Sequence, residues 1–507
     1  MTSSHSKNYS MNLNDLLNGY ISDDKFNDIT ITGLSIDSRT VKKNNLFIAV
    51  KGETVNGIEF INNAIEQGAA AVLWEADASI DSIKLNWRKT TADISVPIIA
   101  IENLSQLLGE FANDFFESPS ETISVCGITG TNGKTSCADF IAQMLSVDEP
   151  CGLLGTLGKG IYPDLEETGF TTPDAISCHQ WLADIKQAQI KQAVMEVSSH
   201  ALTQGRVNGI HFNTAVFTNV SRDHLDYHGD MESYIDAKSK LFEFPNLKNA
   251  IINVDDEAGR KIADSLSSDV HCIRYGLNGA FIPDVYAWDI KLNQDGLSMK
   301  VKTPWGEGQL TSPVMGHFNA SNLLAVLSVM LLQDIKLTDA LNRLSNIKSV
   351  SGRMQRFGGK DSPLVIVDFA HTPDALEQVL ISLREHTEHN LWCVFGCGGD
   401  RDKGKRPLMG AVADEKADYV VLTNDNPRNE MPEKIIEEIK SGMNGAANVL
   451  VESDRHNAII FALSQAKSGD VVLIAGKGHE SYQIIGDKKF PFNDIEEVKQ
   501  QLEVRAG

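Results

Sequence analysis

The segment Thr122-Ile-Ser-Val-Cys126 reads as a buried strand that runs into the glycine-rich turn Gly130-Thr-Asn-Gly-Lys-Thr135. A helix follows, with Phe140, Ile141, Met144 and Leu145 on one face. Strand, tight turn and helix in that order call for a mostly parallel sheet with helices packed on it. The rest of the chain repeats the theme. Ala193-Val-Met195, Ala215-Val-Phe217 and Ala250-Ile-Ile252 are further short apolar strands with helical segments between them. A second alternation begins near Val350, with buried strands over 364–367, 392–395, 419–422 and 471–474. Each of these four runs into a polar or glycine-rich loop, where open α/β sheets bind their ligands.

The chain has 507 residues, which at roughly 100–200 residues per domain suggests about three. The first hundred mix short strands (28–36, 46–50 and 69–74) with a helix over 60–67 that Gly68 stops as a C-cap. A helical period over 104–116 ends at Ser118-Pro119-Ser120, a hinge near the first boundary. Residues 285–310 look like a small antiparallel insertion, and an apolar helix over 318–332 closes the central region. Lys and Arg number 46 against 68 Asp and Glu, for a net charge of −22. Such a surface repels nucleic acid and anionic membrane, while leaving room for a small basic pocket that takes an anionic metabolite. Seven cysteines without paired spacing argue against a disulfide scaffold or zinc ribbon. Met1 to Leu13 lacks an apolar signal core, and the most apolar run, 323–332, is short of the ~18–20 residues of a membrane span. The expectation is a cytoplasmic, soluble monomer with no nucleic-acid partner and no membrane insertion.

Several loops carry chemistry. In the turn at 130–135, backbone N–H groups and the helix N-terminus can cradle phosphates, Lys134 can pair with them and Thr135 can reach Mg²⁺. The usual phosphate loop has four residues between its glycines, whereas Gly130 and Gly133 enclose two. A bare glycine turn carrying a lysine is the alternative, and the flanking strand and helix favour nucleotide binding. Glu196 ends the apolar strand 193–195, and His224 follows the strand ending at Phe217. A buried carboxylate there needs a partner or a metal, and the two residues together could ligate a hard cation. Lys238 has Tyr234, Ile235, Leu241 and Phe242 at −4, −3, +3 and +4, so it projects from an apolar helix face. Such a lysine either snorkels or has a depressed pKa, and a neutral amine can add CO₂ to give an anionic, metal-binding carbamate. Farther on, the loop at 396–406 holds Arg401, Lys403, Lys405 and Arg406, with Asn424-Asp-Asn-Pro-Arg428 and Gly476-Lys-Gly-His-Glu480 on neighbouring strand ends. Their charges can converge. A fork of Arg401 and Arg428 with Glu480 as acceptor suits a zwitterion carrying carboxylates and an ammonium.

In order along nearly the whole chain, these motifs resemble the Mur ligase family. Others join them: Asp37-Ser38-Arg39, Thr171-Thr172-Pro173-Asp174, Glu196-Val-Ser-Ser-His200, Arg222-Asp-His-Leu-Asp-Tyr-His-Gly229, Gly316-His-Phe-Asn319, Ser351-Gly-Arg353 and Asp368-Phe-Ala-His371. The short glycine spacing is this family's own form. The resemblance implies an α/β protein of three domains: a small N-terminal domain for the UDP end over 1–102, a central P-loop-type ATPase over 103–348 and a C-terminal Rossmann-like domain for the incoming amino acid over 349–507. It implies an ATP-dependent amide ligase that adds meso-diaminopimelate to UDP-MurNAc-L-Ala-D-Glu through an acyl phosphate, in peptidoglycan precursor synthesis. Matched position by position, Gly130, Thr131, Asn132, Gly133, Lys134, Thr135, Ser136, Asn319, Arg353 and Asp368 would contact ATP. Thr135, Glu196, His224 and a carbamylated Lys238 would hold Mg²⁺, with Lys134, Glu196, His224 and Lys238 serving catalysis. Ile36, Ser38, Glu53, Thr54 and Val55 would grip the UDP-sugar, and Thr171, Thr172, Ser198, Gln204 and Arg206 the muramoyl dipeptide. Arg401, Asp425, Asn426, Pro427, Arg428, Gly476 and Glu480 would bind diaminopimelate, whose second amino-acid head needs the anion site that Arg428 supplies. Departures from the family pattern fall at Phe369, where tyrosine is common, at Ser136-Cys137 and at Asn493-Asp494-Ile495. Folylpolyglutamate synthetase shares the acyl-phosphate logic, but the first hundred residues and the stretch 425–428 argue against it. A regulatory P-loop ATPase would need no amino-acid pocket.

Overall fold

The computed structural model describes residues 7–52, 55–76, 85–90, 94–277, 281, 283–293 and 295–506. The chain forms two units, Met1–Arg274 and Tyr275–Gly507.

In the first unit, one sheet has the strand order Gly33–Ser35, Asn45–Ala49, Ala71–Ala76, Ser95–Glu102, Leu85–Lys89. The first four run parallel and the last antiparallel. The single strand expected over 28–36 is two, because the chain changes partner at Thr32. Thr30–Ile31 pairs with Met11–Asn12, and Gly33–Ser35 with Asn45–Ala49. The helix Ile61–Gln67 stops at Gly68, whose φ of +106° is a left-handed cap. The second sheet follows the order Asp164–Glu166, Gly158–Ile161, Cys151–Gly155, Gln192–Glu196, Ser124–Thr129, Phe212–Phe217, Asn249–Asn253. Its last five strands are parallel. The strand expected to end at Cys126 continues to Thr129, since Gly127 and Ile128 pair with Met195 and Glu196 on one side and with Ala215 and Val216 on the other. Cys151–Gly155 and the hairpin beyond it were not foreseen, because glycines at 152, 155, 158 and 160 mask their strand pattern.

In the second unit, Val285–Asn293, Gly296–Thr303 and Gly306–Ser312 form the expected antiparallel meander. The helix His317–Leu332 is apolar on every side and accordingly buried, with Leu323, Leu324, Leu327 and Met330 fully covered. The other sheet has the order Gln355–Gly358, Leu364–Asp368, Val471–Ala475, Leu391–Phe395, Tyr419–Leu422, Asn448–Val451. All its strands except the first are parallel to their neighbours. Alternate residues feed two cores. Leu364, Ile366, Cys393 and Leu473 pack on the helices Pro373–Arg384, Lys405–Lys416 and Pro432–Lys440, while Val365, Val367, Val394 and Val472 pack on Arg455–Gln465 and Asp494–Ala506. This is a doubly wound sheet with both faces covered. Leu473 sits on an interior strand of it, fully buried. Leu473→Ala is expected to cost about 2–5 kcal/mol, read as a lower urea midpoint for the second unit. An unchanged midpoint would contradict this packing.

Candidate active site

The glycine turn has the geometry of an anion cradle. Gly130 and Gly133 have φ of +149° and +85°, and Gly133 caps the helix Lys134–Leu145. A Cβ at Gly130 would lie 1.9 Å from Thr218 Oγ1, so no side chain fits there. The loop is braced from the next strand's end: Thr131 N–H donates to Asn219 O (2.8 Å) and Asn132 N–H to Asn219 Oδ1 (3.0 Å). Lys134 Nζ curls back onto the carbonyls of Gly130 and Thr131, both at 2.9 Å. Ser136 lies in the first helical turn, half-buried.

Glu196 ends its strand with 1% of its surface exposed. One carboxylate oxygen accepts from Thr135 Oγ1 at 2.9 Å, and the other from the Thr156 N–H at 2.7 Å. Gly155 permits this approach, since a Cβ there would come within 2.3 Å of Glu196 Oε1. The residues expected to hold the dipeptide join the same network. Thr171 Oγ1 meets Thr156 Oγ1 at 3.0 Å, and Thr172 Oγ1 donates to Glu196 O (2.8 Å) and accepts from Ser198 N–H (3.1 Å). Arg206 donates to Thr172 O (2.9 Å) and Gln204 Oε1 (2.8 Å), and Gln204 Nε2 to Tyr227 Oη (3.1 Å). Thr156 and Tyr227 were not singled out from sequence. A lone threonine after a strand carries no spacing signal, and Tyr227 was visible only inside a longer motif.

His224 stands at the N-terminus of the short helix Leu225–His228, with φ +52°. Its imidazole is half-exposed, 3.4 Å from Asp223, with ring centroids 4.9 Å from His200 and 6.2 Å from Tyr234. Among the described residues, no three His, Cys, Asp or Glu side chains gather into a metal cluster. The donor set at Thr135 and Glu196, a hydroxyl and a carboxylate at hydrogen-bond distance, nevertheless has the hard oxygen chemistry that Mg²⁺ requires. Lys238 does not snorkel. It is 1% exposed, donates to Gly130 O at 2.8 Å and lies 4.3 Å from the centre of the Tyr234 ring. Burial, and then the nearby charge of Lys134, push its pKa down to about 6.

Near the N-terminal sheet, Ser38 is buried, while Ile36 and Val55 are exposed; Glu53 and Thr54 lie outside the described residues. A cavity of 340 Å³ in this unit is lined by Ser35, Thr40, Lys42 and Lys159 among others, and, among the described residues, not by Ile36, Ser38 or Val55.

In the second unit, Asp368 is buried and accepts from the N–H groups of Met354 (2.7 Å) and Ala370 (2.8 Å). Burial raises its pKa against the pull of Arg353, whose guanidinium lies 4.6 Å from the Phe369 ring centre. Asn319 points inward, donating to Met315 O (2.7 Å) and accepting from Asn322 (2.8 Å). The basic loop does not offer all four cations. Arg406 is wholly buried on Glu430 (2.9 Å) and Glu438 (2.6 Å), Lys403 also faces Glu430 (3.3 Å), and Lys405 donates to His371 O (2.8 Å). Arg401 and Arg428 both approach Gly398: a Cβ there would lie 3.7 Å from Arg401 Cγ and 3.0 Å from Arg428 Nη1, while Arg401 Nη1 donates to Asp400 O (3.4 Å). Arg428, at φ +48°, also donates to Gly399 O (2.8 Å). Glu480 Oε2 accepts from Asn426 Nδ2 (3.0 Å) and Lys477 Nζ (2.8 Å). Lys477, fully buried and also donating to Asn426 Oδ1 (3.2 Å), was passed over in the sequence. Asp425 lies 4.0 Å from it, its pKa raised by burial; Pro427 O and Gly476 approach Gly399 and Asp425 too closely for added side chains.

Three comparisons bear on this arrangement. Domains described as "Mur ligase family, catalytic domain", "Mur ligase middle domain" and "Mur ligase, glutamate ligase domain" match residues 30–116, 128–330 and 352–478. UDP-N-acetylmuramoyl-L-alanyl-D-glutamate–2,6-diaminopimelate ligases are similar throughout. The Coxiella burnetii protein is 48% identical over 94% of this chain and 96% of its own length, and the Pseudomonas aeruginosa one 45% over 94% and 96%. A solved structure of a ligase with the same name superposes with a TM-score of 0.73 at 35% identity, covering 98% of this chain and all of that one. With identity of this order along nearly its entire length, the chain belongs to the Mur ligase family.

Proposed function

We propose that this chain joins meso-diaminopimelate to UDP-MurNAc-L-Ala-D-Glu at the expense of ATP, as a cytoplasmic, monomeric enzyme of peptidoglycan precursor synthesis. The observation that supports the reading is the approach of Arg401 and Arg428 to the same Gly398, on the sheet end where Asn426 and Lys477 hold Glu480. A doubly headed amino acid needs a cationic fork for its distal carboxylate and an anion for its ammonium, and L-lysine has no use for the fork. The names of the relatives point to the same substrate. We assign the UDP end to residues 1–102, with Ile36, Ser38 and the stretch 53–55 as its contacts, ATP to 103–348 and the amino acid to 349–507.

The protein's side chains divide the work. Lys134 and the first-turn N–H groups beyond Gly133 hold the phosphates, with Arg353, Asp368 and Asn319 as further nucleotide contacts. Thr135, Glu196, His224 and a carbamylated Lys238 would hold Mg²⁺, which would supply charge neutralisation for phosphoryl transfer. Thr171, Thr172, Ser198, Gln204 and Arg206 orient the D-glutamyl carboxylate, which takes the terminal phosphoryl group of ATP as ADP leaves. The amine of diaminopimelate, oriented by the fork and by Asp425 and Asn426, then attacks the acyl carbon. A C–N bond forms, phosphate departs and the amine loses a proton. Lys238 supports a carbamate: a neutral amine at the end of a buried stem can bond CO₂ and release one proton, which turns it into an anionic ligand.

Two measurements test this reading. ADP release by the purified chain is expected to require both UDP-MurNAc-dipeptide and meso-diaminopimelate, and Arg428→Ala is expected to raise the diaminopimelate KM by about tenfold or more with the ATP KM unmoved. Equal losses in both would count against the assignment. Lys238 makes a separate pH prediction. Its folded pKa of about 6 lies below the unfolded 10.5. Between these values the unfolded chain holds the extra proton, so stability rises with pH across the window and levels off below it. In CO₂-free buffer, wild-type stability relative to Lys238→Met is expected to climb by up to about 1.4 kcal/mol per pH unit between pH 7 and 9. Parallel stability curves for the two proteins would show that the amine is not depressed.

A further inference from the structure

Arg455 takes no part in the chemistry described above, yet it is one of the most deeply buried charges in the protein. Its guanidinium and the carboxylate of Asp494 both have no exposed side-chain surface. Nε donates to Asp494 Oδ1 at 2.8 Å and Nη2 to Asp494 Oδ2 at 2.7 Å, a bidentate pair. The remaining donors do something else. Nη1 reaches Asn424 O at 3.2 Å, and Nη2 also reaches Ala475 O at 2.9 Å. Asn424 is the residue before the loop Asp425–Arg428, and Ala475 the residue before the loop Gly476–Glu480. The strands feeding these loops, Tyr419–Leu422 and Val471–Ala475, are not neighbours, because Leu391–Phe395 lies between them. No ladder hydrogen bond can therefore join the two loop bases; farther out the loops meet through Asn426, which bonds Lys477 and Glu480, and at their bases the guanidinium spans the gap.

We propose that Arg455 is a positioning residue for the amino-acid site: it fixes the separation of the loop carrying Arg428 from the loop carrying Glu480, with Asp494 neutralising it and anchoring it to the last helix. The proposal deepens the diaminopimelate reading and rests on it for the identity of the ligand. An ammonium in place of the fork keeps the charge and can reach Asp494, but it cannot hold two carbonyls and both carboxylate oxygens at once. Removing the charge altogether leaves Asp494 buried and unpaired, so the second variant replaces both partners by apolar groups.

The test uses full-length Arg455→Lys and the double variant Arg455→Met/Asp494→Leu. Both are expected to raise the KM for meso-diaminopimelate by about tenfold, with the KM values for ATP and UDP-MurNAc-dipeptide within about twofold of wild type and kcat largely retained. Amide hydrogen exchange is expected to accelerate in 424–428 and 476–480 together, with 391–395 unchanged. Folded variants with an unaltered diaminopimelate KM, a common rise in all three KM values, or faster exchange in one loop alone would each overturn the proposal. A wild-type chain indifferent to diaminopimelate would sink the functional reading instead, and the exchange pattern would still decide whether Arg455 joins the loops.

Discussion

Glu196 is a carboxylate taken almost wholly out of water at the end of a parallel strand, and its surroundings make that tolerable. An unpartnered buried carboxylate costs several kcal/mol or gives up its charge. Here Thr135, at the start of the helix behind the glycine turn, and the Thr156 N–H, at the end of the neighbouring strand, each take one of its oxygens. The same acid therefore fixes the phosphate loop on one side and, through Thr156 and its own carbonyl, Thr171 and Thr172 on the other. A site that must bring a phosphate and a carboxylate together needs its two halves in rigid register. One buried carboxylate shared between them achieves it without a flexible linker.

The second unit solves a related problem with the charges reversed. Its ligand loops leave successive strand ends of a doubly wound sheet, and buried cations tie them down. Arg406 holds the loop after Phe395 to Glu430 and Glu438, Lys477 spans Asn426 and Glu480, and Arg455 joins the loop bases. A chain with a net charge of −22 has acids to spare, and each of these three buried cations has a carboxylate partner.

What could be seen in the sequence follows from how local each signal is. The strand ends at Glu196 and Asp368 were visible because an apolar run stopped at an acid, and Lys238 because its neighbours at ±3 and ±4 are all apolar. An open α/β sheet in the second unit followed from four apolar runs, each closed by a polar loop. Hidden features depend on partners far away in the chain. Arg455 and Asp494 are 39 residues apart, and nothing local marks either as buried. Arg406 resembled its basic neighbours until Glu430 and Glu438 came round to neutralise it. Cys151–Gly155 escaped notice because its glycines, one of them required by the approach of Glu196, are poor strand formers on their own terms. The misjudged residues are thus those whose role is set by tertiary packing rather than by position within an element.

The two lysines of the phosphate loop illustrate how packing assigns chemistry to identical side chains. Lys134 and Lys238 both donate to Gly130 O, at 2.9 and 2.8 Å. Two ammonium groups sharing one carbonyl oxygen lie close enough for repulsion of about 4 kcal/mol at an effective dielectric of 20. Burial weighs on the Lys238 ammonium more heavily than this repulsion does, and the two together push its pKa down to about 6. Lys238 is covered by Tyr234 and the helix it sits on, whereas Lys134 is only half-buried. Lys238 is therefore the amine pushed toward its neutral form, and Lys134 the less buried partner at the same carbonyl. Mutating the glycine turn would disturb both roles together, since the carbonyl that couples them belongs to Gly130, where the Thr218 hydroxyl leaves no room for a side chain.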